Sequence, residues 1–197
     1  MGDAPVTSGA ATRVAHPRGV YPVDLEGAFT TRAGLRLTVR PIRPDDAGAL
    51  VAFHHRLSDT SVYRRYFSWH PELSSGEVTH LTTVDYVDRL ALVVWRDDEL
   101  VAVGRYDRYP DSDRAEVAFL VTDTLQRQGI GSQLLERLAG AAWARGIGTF
   151  VAETQIDNRD MLGVFAASGY SVRRSFADEV AYVRFSIAPE ARGAPAP

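Results

Sequence analysis

The side chains best suited to chemistry lie in one segment of the sequence, between Glu116 and Ser132. An apolar run at residues 117–121 follows the glutamate, and a polar turn then leads into the sequence Gln-Arg-Gln-Gly-Ile-Gly at residues 126–131. Successive backbone N–H groups at a glycine-rich helix start form a cradle for phosphate. The segment therefore predicts a ligand that carries phosphate, with Glu116 as a proton acceptor beside it.

Two other phosphate-binding loops fit the sequence poorly. A Walker-type loop needs lysine after its last glycine, and all 22 basic residues of this chain are arginine. A dinucleotide fingerprint needs a third glycine where Leu134 stands, and its acidic residue is matched only loosely by Glu153. It also requires a parallel sheet, whereas three predicted strands precede the loop without helices between them. The lack of lysine further excludes Schiff-base chemistry.

The composition is that of an ordinary globular domain. Of the 197 residues, 45% are apolar and 24% are charged, with a net charge of −3, so that no general attraction to nucleic acid or anionic membranes is expected. No apolar run approaches the roughly 20 residues that span a bilayer, and the N-terminus lacks a signal pattern. We therefore expect a cytoplasmic protein. The absence of cysteine excludes disulfides, thiolate metal sites and a cysteine nucleophile.

Hydrophobic periodicity predicts one mixed α/β domain over residues 21–187, with a flexible arm at 1–20 and a flexible tail at 188–197. Strands are predicted over residues 35–40, 90–96, 100–107, 115–121, 149–154, 170–175 and 180–187, and helices over 44–56, 61–67, 77–82, 131–145 and 158–167. Short turns connect the strands between residues 90 and 121, which indicates an antiparallel meander before the glycine loop.

The loop and the order of elements resemble the Gcn5-related N-acetyltransferase (GNAT) superfamily. Its phosphate motif is Arg or Gln, two residues, Gly, one residue, then Gly or Ala, which Gln126, Gly129 and Gly131 match. Asn158 and the later Gly169-Tyr170 resemble a second motif of the superfamily. The resemblance covers residues 35–187. It implies a mixed, mostly antiparallel sheet with a splayed central strand pair flanked by helices, and acetyl-CoA as co-substrate without a metal.

A closer resemblance is to the catalytic domain of bacterial Pat-type protein lysine acetyltransferases. It is carried by residues 39–46, 83–89, 103–106 and 115–119. It implies that the acceptor is a lysine of a protein substrate, with CoA ligases such as acetyl-CoA synthetase as the acceptor class. In actinobacterial members the domain can follow a cyclic-nucleotide or amino-acid-binding domain. The first 34 residues are too short for either, so we expect no such allosteric control.

The resemblance also implies which residues bind the cofactor. The backbone of a short stretch of strand would pair with the pantetheine arm, and N–H groups at the helix start would hold the diphosphate. An asparagine on the next helix would complete the site. The implied set is Phe119, Leu120, Val121, Gln126, Arg127, Gln128, Gly129, Ile130, Gly131, Ser132 and Asn158.

Glu116 is the candidate general base. A lysine acceptor is protonated at neutral pH and must lose a proton before it attacks a thioester. Strand alternation places Glu116 on one face with Ala118. The alternative is a solvated carboxylate paired with Arg105 or Arg114. Many superfamily members carry a tyrosine acid where this chain has Phe165. Tyr170 is the nearest alternative acid, and unassisted departure of the thiolate is the other possibility.

Two further functions stay open on the sequence. The same fold acetylates small-molecule amines, and a domain of this kind could also bind CoA as a sensor without catalysis. The histidines offer no metal site, because His54, His55, His70 and His80 lack the spacing of metal ligands.

Overall fold

The longest continuous apolar run forms a strand that is buried on both faces. Residues 90–94 lie in strand β3 (Arg89–Arg96) and have no accessible surface. Strand β4 (Glu99–Arg108) follows after a tight turn and is buried almost throughout. A strand buried on both faces requires cover on each side of the sheet. The computed structural model, which describes residues 18–191, supplies that cover with five α-helices.

The sheet has eight strands in the order β1-β2-β3-β4-β5-β6-β8-β7. The other six strands are β1 (Gly27–Thr30), β2 (Arg36–Pro41), β5 (Arg114–Val121), β6 (Thr149–Gln155), β7 (Arg173–Ala177) and β8 (Val180–Ser186). All neighbours are antiparallel except β5 and β6, which are parallel. The predicted meander of β3, β4 and β5 is confirmed.

Strands β5 and β6 separate soon after they begin to pair. Their ladder starts with Arg114 opposite Thr149 and ends with Glu116 opposite Val151. The pairing of β5 with β4 continues to Val121. From residue 117 onward, the edge of β5 that faces β6 therefore has no strand partner, and a wedge-shaped opening forms between the two strands.

The helices are α1 (Ala47–His55), α2 (Asp59–Tyr66), α3 (Ser75–Thr82), α4 (Ile130–Ala144) and α5 (Arg159–Ala166). Helix α4 packs closely on β4, because a Cβ at Gly104 would lie 3.0 Å from Phe119 and 3.2 Å from Leu134. Phe119 therefore faces α4. Residues 118 and 120 alternate with it and point to the other face of the sheet, where α1 and α2 lie.

The observed elements confirm the predicted fold class, with two differences in detail. The edge strand β1 was missed, since its four residues show no apolar alternation. The strand predicted at 170–175 lies instead at Arg173–Ala177, where every residue is exposed. Most of the predicted arm and tail lies outside the described residues, and the domain boundaries stay predictions. Within residues 18–191, no helix has the length and apolar character to cross a membrane.

Candidate active site

A cleft of about 590 Å³ opens where β5 and β6 separate. Residues 119–121, 125–127 and 129–132 form one wall, which comprises the free edge of β5, the glycine loop and the start of α4. We call this wall the loop side. Residues 61 and 64–67 of α2 and its C-terminal end, together with Glu116 and Glu153, form the other wall, which we call the α2 side. The cleft thus contains every predicted site residue except Gln128, which lies in the loop beside it.

The glycine loop leaves backbone donors free at the start of α4. The first intrahelical bond runs from the N–H of Gln133 to the carbonyl of Gly129 at 3.1 Å. The N–H groups of residues 130–132 therefore have no acceptor within the helix. Gly129 adopts a φ of +88°, a conformation that other residues rarely adopt. The N-terminus of this 15-residue helix has the donors and the dipole that a phosphate requires.

Gly131 brings α5 close to this cradle. A Cβ at Gly131 would lie 3.1 Å from Cγ2 of Val164, which is closer than an ordinary van der Waals contact. Glycine therefore lets α5 close the end of the cleft against the start of α4. The loop, the open strand edge and the neighbouring helix thus all line one cleft.

Gln126 and Asn158 use their side chains partly to position the backbone. Nε2 of Gln126 donates to Oγ of Ser61 at 3.1 Å and to the carbonyl of Val121 at 3.2 Å. Oδ1 of Asn158 accepts from the N–H of Met161 at 3.2 Å, which caps α5. Both residues line the cleft. Their direct contact with a cofactor stays a prediction, and the structure adds a positioning role for each.

Glu116 is exposed at the base of the opening, at the last position of β5 that pairs with β6. Within residues 18–191 its carboxylate forms no hydrogen bond or ion pair. Arg105 lies 3.4 Å from Asp107 and donates to the carbonyl of Leu81, and Arg114 contacts Ser112. Neither arginine is therefore engaged with Glu116, and its carboxylate is free to accept a proton from a ligand in the cleft.

Sequence reasoning missed a second carboxylate in the cleft. Glu153 lies on β6, two residues beyond the partner of Glu116, and therefore on the same face of the sheet. Burial raises the pKa of Tyr109, and the negative charges of Glu116 and Glu153 raise it further. The α2 side thus presents carboxylates from both diverging strands.

A hydrogen-bonded clasp joins the two sides of the cleft and was also missed. Asp123 accepts from the N–H and Oγ of Ser58, at 2.9 and 2.6 Å, and from Oγ of Ser61 at 2.8 Å. Partial burial would raise the pKa of Asp123, but these hydrogen bonds outweigh it and hold the pKa below its usual value. The clasp fixes the start of α2 to the segment that leads into the glycine loop.

The α2 side is backed by packed aromatic rings. Tyr66 stacks on His70 with ring centroids 4.2 Å apart, and His54 lies 5.9 Å from Tyr66. His54 is buried, and burial lowers its pKa, as do the neighbouring histidines His70 and His55. This cluster supports the wall by packing. Among residues 18–191 no group of three or more His, Cys, Asp or Glu is placed to hold a metal.

Phe165 stands where many superfamily members have a tyrosine, and it is buried. Its ring lies 6.3 Å from that of Phe119 and 5.7 Å from that of Phe185. Tyr170 stacks on Phe185 at 5.4 Å. Phe165 therefore packs in the core and cannot act as an acid at this position.

The chain belongs to the acetyltransferase (GNAT) family, whose sequence model matches residues 57–170. It is similar to the acetyltransferase Pat of Mycolicibacterium smegmatis, with 31% identity over 133 residues, which are 66% of this chain and 40% of that protein. Enzymes of this family use acetyl-CoA. The predicted family and its implied fold are confirmed.

Two solved structures place the chain within the family more closely. The GNAT domain of S. lividans PAT is 41% identical with a TM-score of 0.80, and the match covers 85% of this chain and 99% of that domain. The cAMP-binding acyltransferase from Mycobacterium smegmatis is 26% identical with a TM-score of 0.59, over 83% of this chain and 48% of that protein. The chain thus spans less than half of that acyltransferase and of the Pat protein.

Proposed function

We propose that this acetyltransferase transfers the acetyl group of acetyl-CoA directly to the side-chain amine of lysine in protein substrates, with CoA ligases such as acetyl-CoA synthetase as the acceptor class. The observation that carries the proposal is the placement of Glu116. Its exposed, unpaired carboxylate lies at the base of a cleft whose opposite wall is a phosphate cradle. A thioester held by that cradle would reach toward the carboxylate.

The loop side would hold acetyl-CoA mainly with backbone groups. The free edge of β5 at residues 119–121 would pair with the amides of pantetheine as an added strand. The unpaired N–H groups of residues 130–132 would bind the diphosphate. The guanidinium of Arg127 would add a charge-assisted contact. Gln126 and Asn158 would complete the set from the edges of the cleft.

The proposed reaction begins with proton removal on the α2 side. Glu116 accepts a proton from the lysine ammonium, directly or through water, and the neutral nitrogen attacks the thioester carbonyl carbon. A backbone N–H at Phe119 or Leu120 donates to the oxyanion that develops. The attacking nitrogen then releases its second proton to solvent, the carbonyl re-forms as the C–S bond breaks, and the sulfur leaves as a thiolate. A thiol pKa of about 8.5 makes this departure feasible without a phenolic acid at Phe165.

Direct transfer is supported by the absence of cysteine, which excludes an acetyl-enzyme thioester on this chain. The α2 side also favours a macromolecular acceptor. Phe67 lines the cleft and is 37% exposed, and Tyr63 and Trp69, close to it in sequence, are 49% and 67% exposed. Exposed aromatic side chains of this kind are enriched where proteins bind proteins. A small amine would leave this surface unused.

The proposal is tested by incubating the purified protein with isotope-labelled acetyl-CoA and a cell lysate, followed by mass spectrometry of peptides. We expect label on the side-chain nitrogen of lysine in a limited set of proteins. The assay has low background, because the enzyme has no lysine to acetylate in itself. Label confined to small amines would overturn the protein-substrate proposal. Binding of acetyl-CoA without turnover of any acceptor would favour a sensor domain.

A further inference from the structure

The hairpin between β1 and β2 delivers an arginine to the glycine loop, although the hairpin lies outside the segment that the family model matches, residues 57–170. The hairpin tip is held in shape by its own hydrogen bonds. Thr31 N–H donates to the carbonyl of Leu35 at 2.8 Å, and Gly34 N–H donates to the carbonyl of Thr31 at 3.0 Å. Gly34 has a φ of +84°, which suits the tight turn. The residues at this tip therefore have defined positions.

The tip is fastened to the loop through its backbone. The N–H of Arg32 donates to the carbonyl of Gln128 at 3.2 Å. The side chain of Arg32 then runs across Gly129, where a Cβ would lie 3.8 Å from its Nε and 3.9 Å from its Cγ. Because Gly129 is the residue that opens α4, the guanidinium lies beside the N–H groups that form the phosphate cradle.

The guanidinium of Arg32 has no ion-pair partner in the part of the chain that the structure describes. The residue is exposed and lines the cleft. Among residues 18–191, no carboxylate forms an ion pair with it. In contrast, Arg64, on the opposite wall, lies 3.8 Å from Asp157. An unpaired guanidinium at a helix N-terminus adds a second source of positive potential to the helix dipole at the same point.

We infer that Arg32 is a ligand of the CoA diphosphate, supplied by the N-terminal hairpin. The inference rests on the proposed function, since it requires that the cleft binds CoA. The guanidinium donates paired N–H groups to phosphate oxygens that the backbone N–H groups of residues 130–132 also contact. The hairpin thus forms part of the cofactor site.

The test compares Arg32→Gln with Arg36→Gln by titration calorimetry of CoA at fixed ionic strength. Arg36 lies on the same hairpin and is exposed, but it does not line the cleft, which makes it a matched control for loss of one positive charge. We expect Arg32→Gln to raise the dissociation constant about tenfold and Arg36→Gln to leave it unchanged. Equal effects of the two variants, or no effect of either, would overturn the inference.

The same titrations with 3′-dephospho-CoA identify which phosphate is contacted. A diphosphate contact predicts the same tenfold penalty for Arg32→Gln with both ligands, whereas a penalty seen only with CoA would assign Arg32 to the 3′-phosphate and overturn the inference. Arg32→Lys keeps the charge but loses the paired geometry and should lie between wild type and Arg32→Gln. Failure of the wild-type protein to bind CoA would instead refute the proposed function.

Discussion

On the loop side of the cleft, the groups proposed to bind the cofactor are mostly backbone N–H groups, whereas on the α2 side the proposed functional groups are side chains. The residues of the loop side all lie between 119 and 132 in the sequence. The α2 side combines residues 61 and 64–67 with Glu116 and with Glu153, which come from three separate elements. A backbone cradle binds the constant part of a cofactor in any sequence that keeps the loop conformation. We propose that the side chains of the α2 side determine the acceptor and the chemistry.

This difference predicts that the two sides fail in different ways when they are altered. Changes on the loop side should weaken cofactor binding and leave the rate of bound complexes nearly intact. Changes on the α2 side should lower the rate or the acceptor affinity and leave cofactor binding nearly intact.

Glu116→Gln should lower kcat by about 100- to 10,000-fold, because it removes the carboxylate that is proposed to accept the proton of the lysine ammonium. The dissociation constant for acetyl-CoA should stay within about twofold of wild type, since the loop side is unchanged. Steady-state kinetics and calorimetry on the same preparations check both values. A kcat near that of the wild type would show that another group accepts the proton.

Gly129→Ala should weaken acetyl-CoA binding by about tenfold. Its φ of +88° costs a residue with a side chain about 1–2 kcal/mol, so the loop must shift or the free energy of unfolding must fall. Gly140→Ala is the matched control, because Gly140 lies exposed within α4 with no atom near its Cβ position. That control should stabilise the protein by about 0.5–1 kcal/mol. Equal behaviour of the two variants in calorimetry and urea unfolding would contradict the assigned loop geometry.

Asp123→Asn tests the clasp that joins the two sides. It should lower the free energy of unfolding by about 1 kcal/mol at neutral pH, as the hydrogen bonds to Ser58 and Ser61 lose their charge. The folded-state pKa of Asp123 is below its ordinary value. Its contribution is therefore present above the unfolded pKa of about 3.9 and is lost as the pH falls through the folded pKa.

Urea unfolding of wild type and Asp123→Asn between neutral pH and about pH 3.5 checks this dependence. The difference between the two proteins should be constant down to about pH 5 and should shrink below about pH 4. Asp98→Asn, at an exposed turn position, should show no such difference. A pH-independent effect of Asp123→Asn would mean that the ionised carboxylate is not the source of the stability.

Glu153→Gln should have the smallest effect and also serves as a control for Glu116→Gln. Both are carboxylates of the same cleft, on opposite strands of the opening. Loss of one exposed charge should raise the KM for a lysine acceptor about two- to threefold through weaker attraction, without a large change in kcat. A fall in kcat comparable with that of Glu116→Gln would transfer the role of base to Glu153.

The two sides also differ in how much of them the sequence predicted. The loop side is local: its strand, glycine loop and helix start lie in sequence order, so residue type and spacing predicted the phosphate cradle, and the family resemblance then implied the cofactor-binding residues. The α2 side depends on contacts that no local pattern records. Ser58 and Asp123 are 65 residues apart, and Glu153 joins Glu116 only through the parallel register of β5 and β6. Glu116 was predicted from its place on the strand before the glycine loop, and the family resemblance strengthened that prediction.

The hairpin that carries Arg32 was missed for a related reason. Strand β1 is four residues long, begins with glycine and is largely exposed, so it has no apolar period to detect. Its stability comes from pairing with β2 and from docking of its tip on the loop. Cofactor contacts that come from such an edge hairpin become visible only in three dimensions.

Hydrogen–deuterium exchange with and without acetyl-CoA tests the central claim most directly, since the claim is that backbone N–H groups of the loop side hold the cofactor. Saturating acetyl-CoA should slow exchange in peptides that contain residues 119–121 and 127–132, while peptides from α1 and β8 keep their exchange rates. Unchanged exchange at residues 127–132, with slowing elsewhere in the chain, would contradict the account.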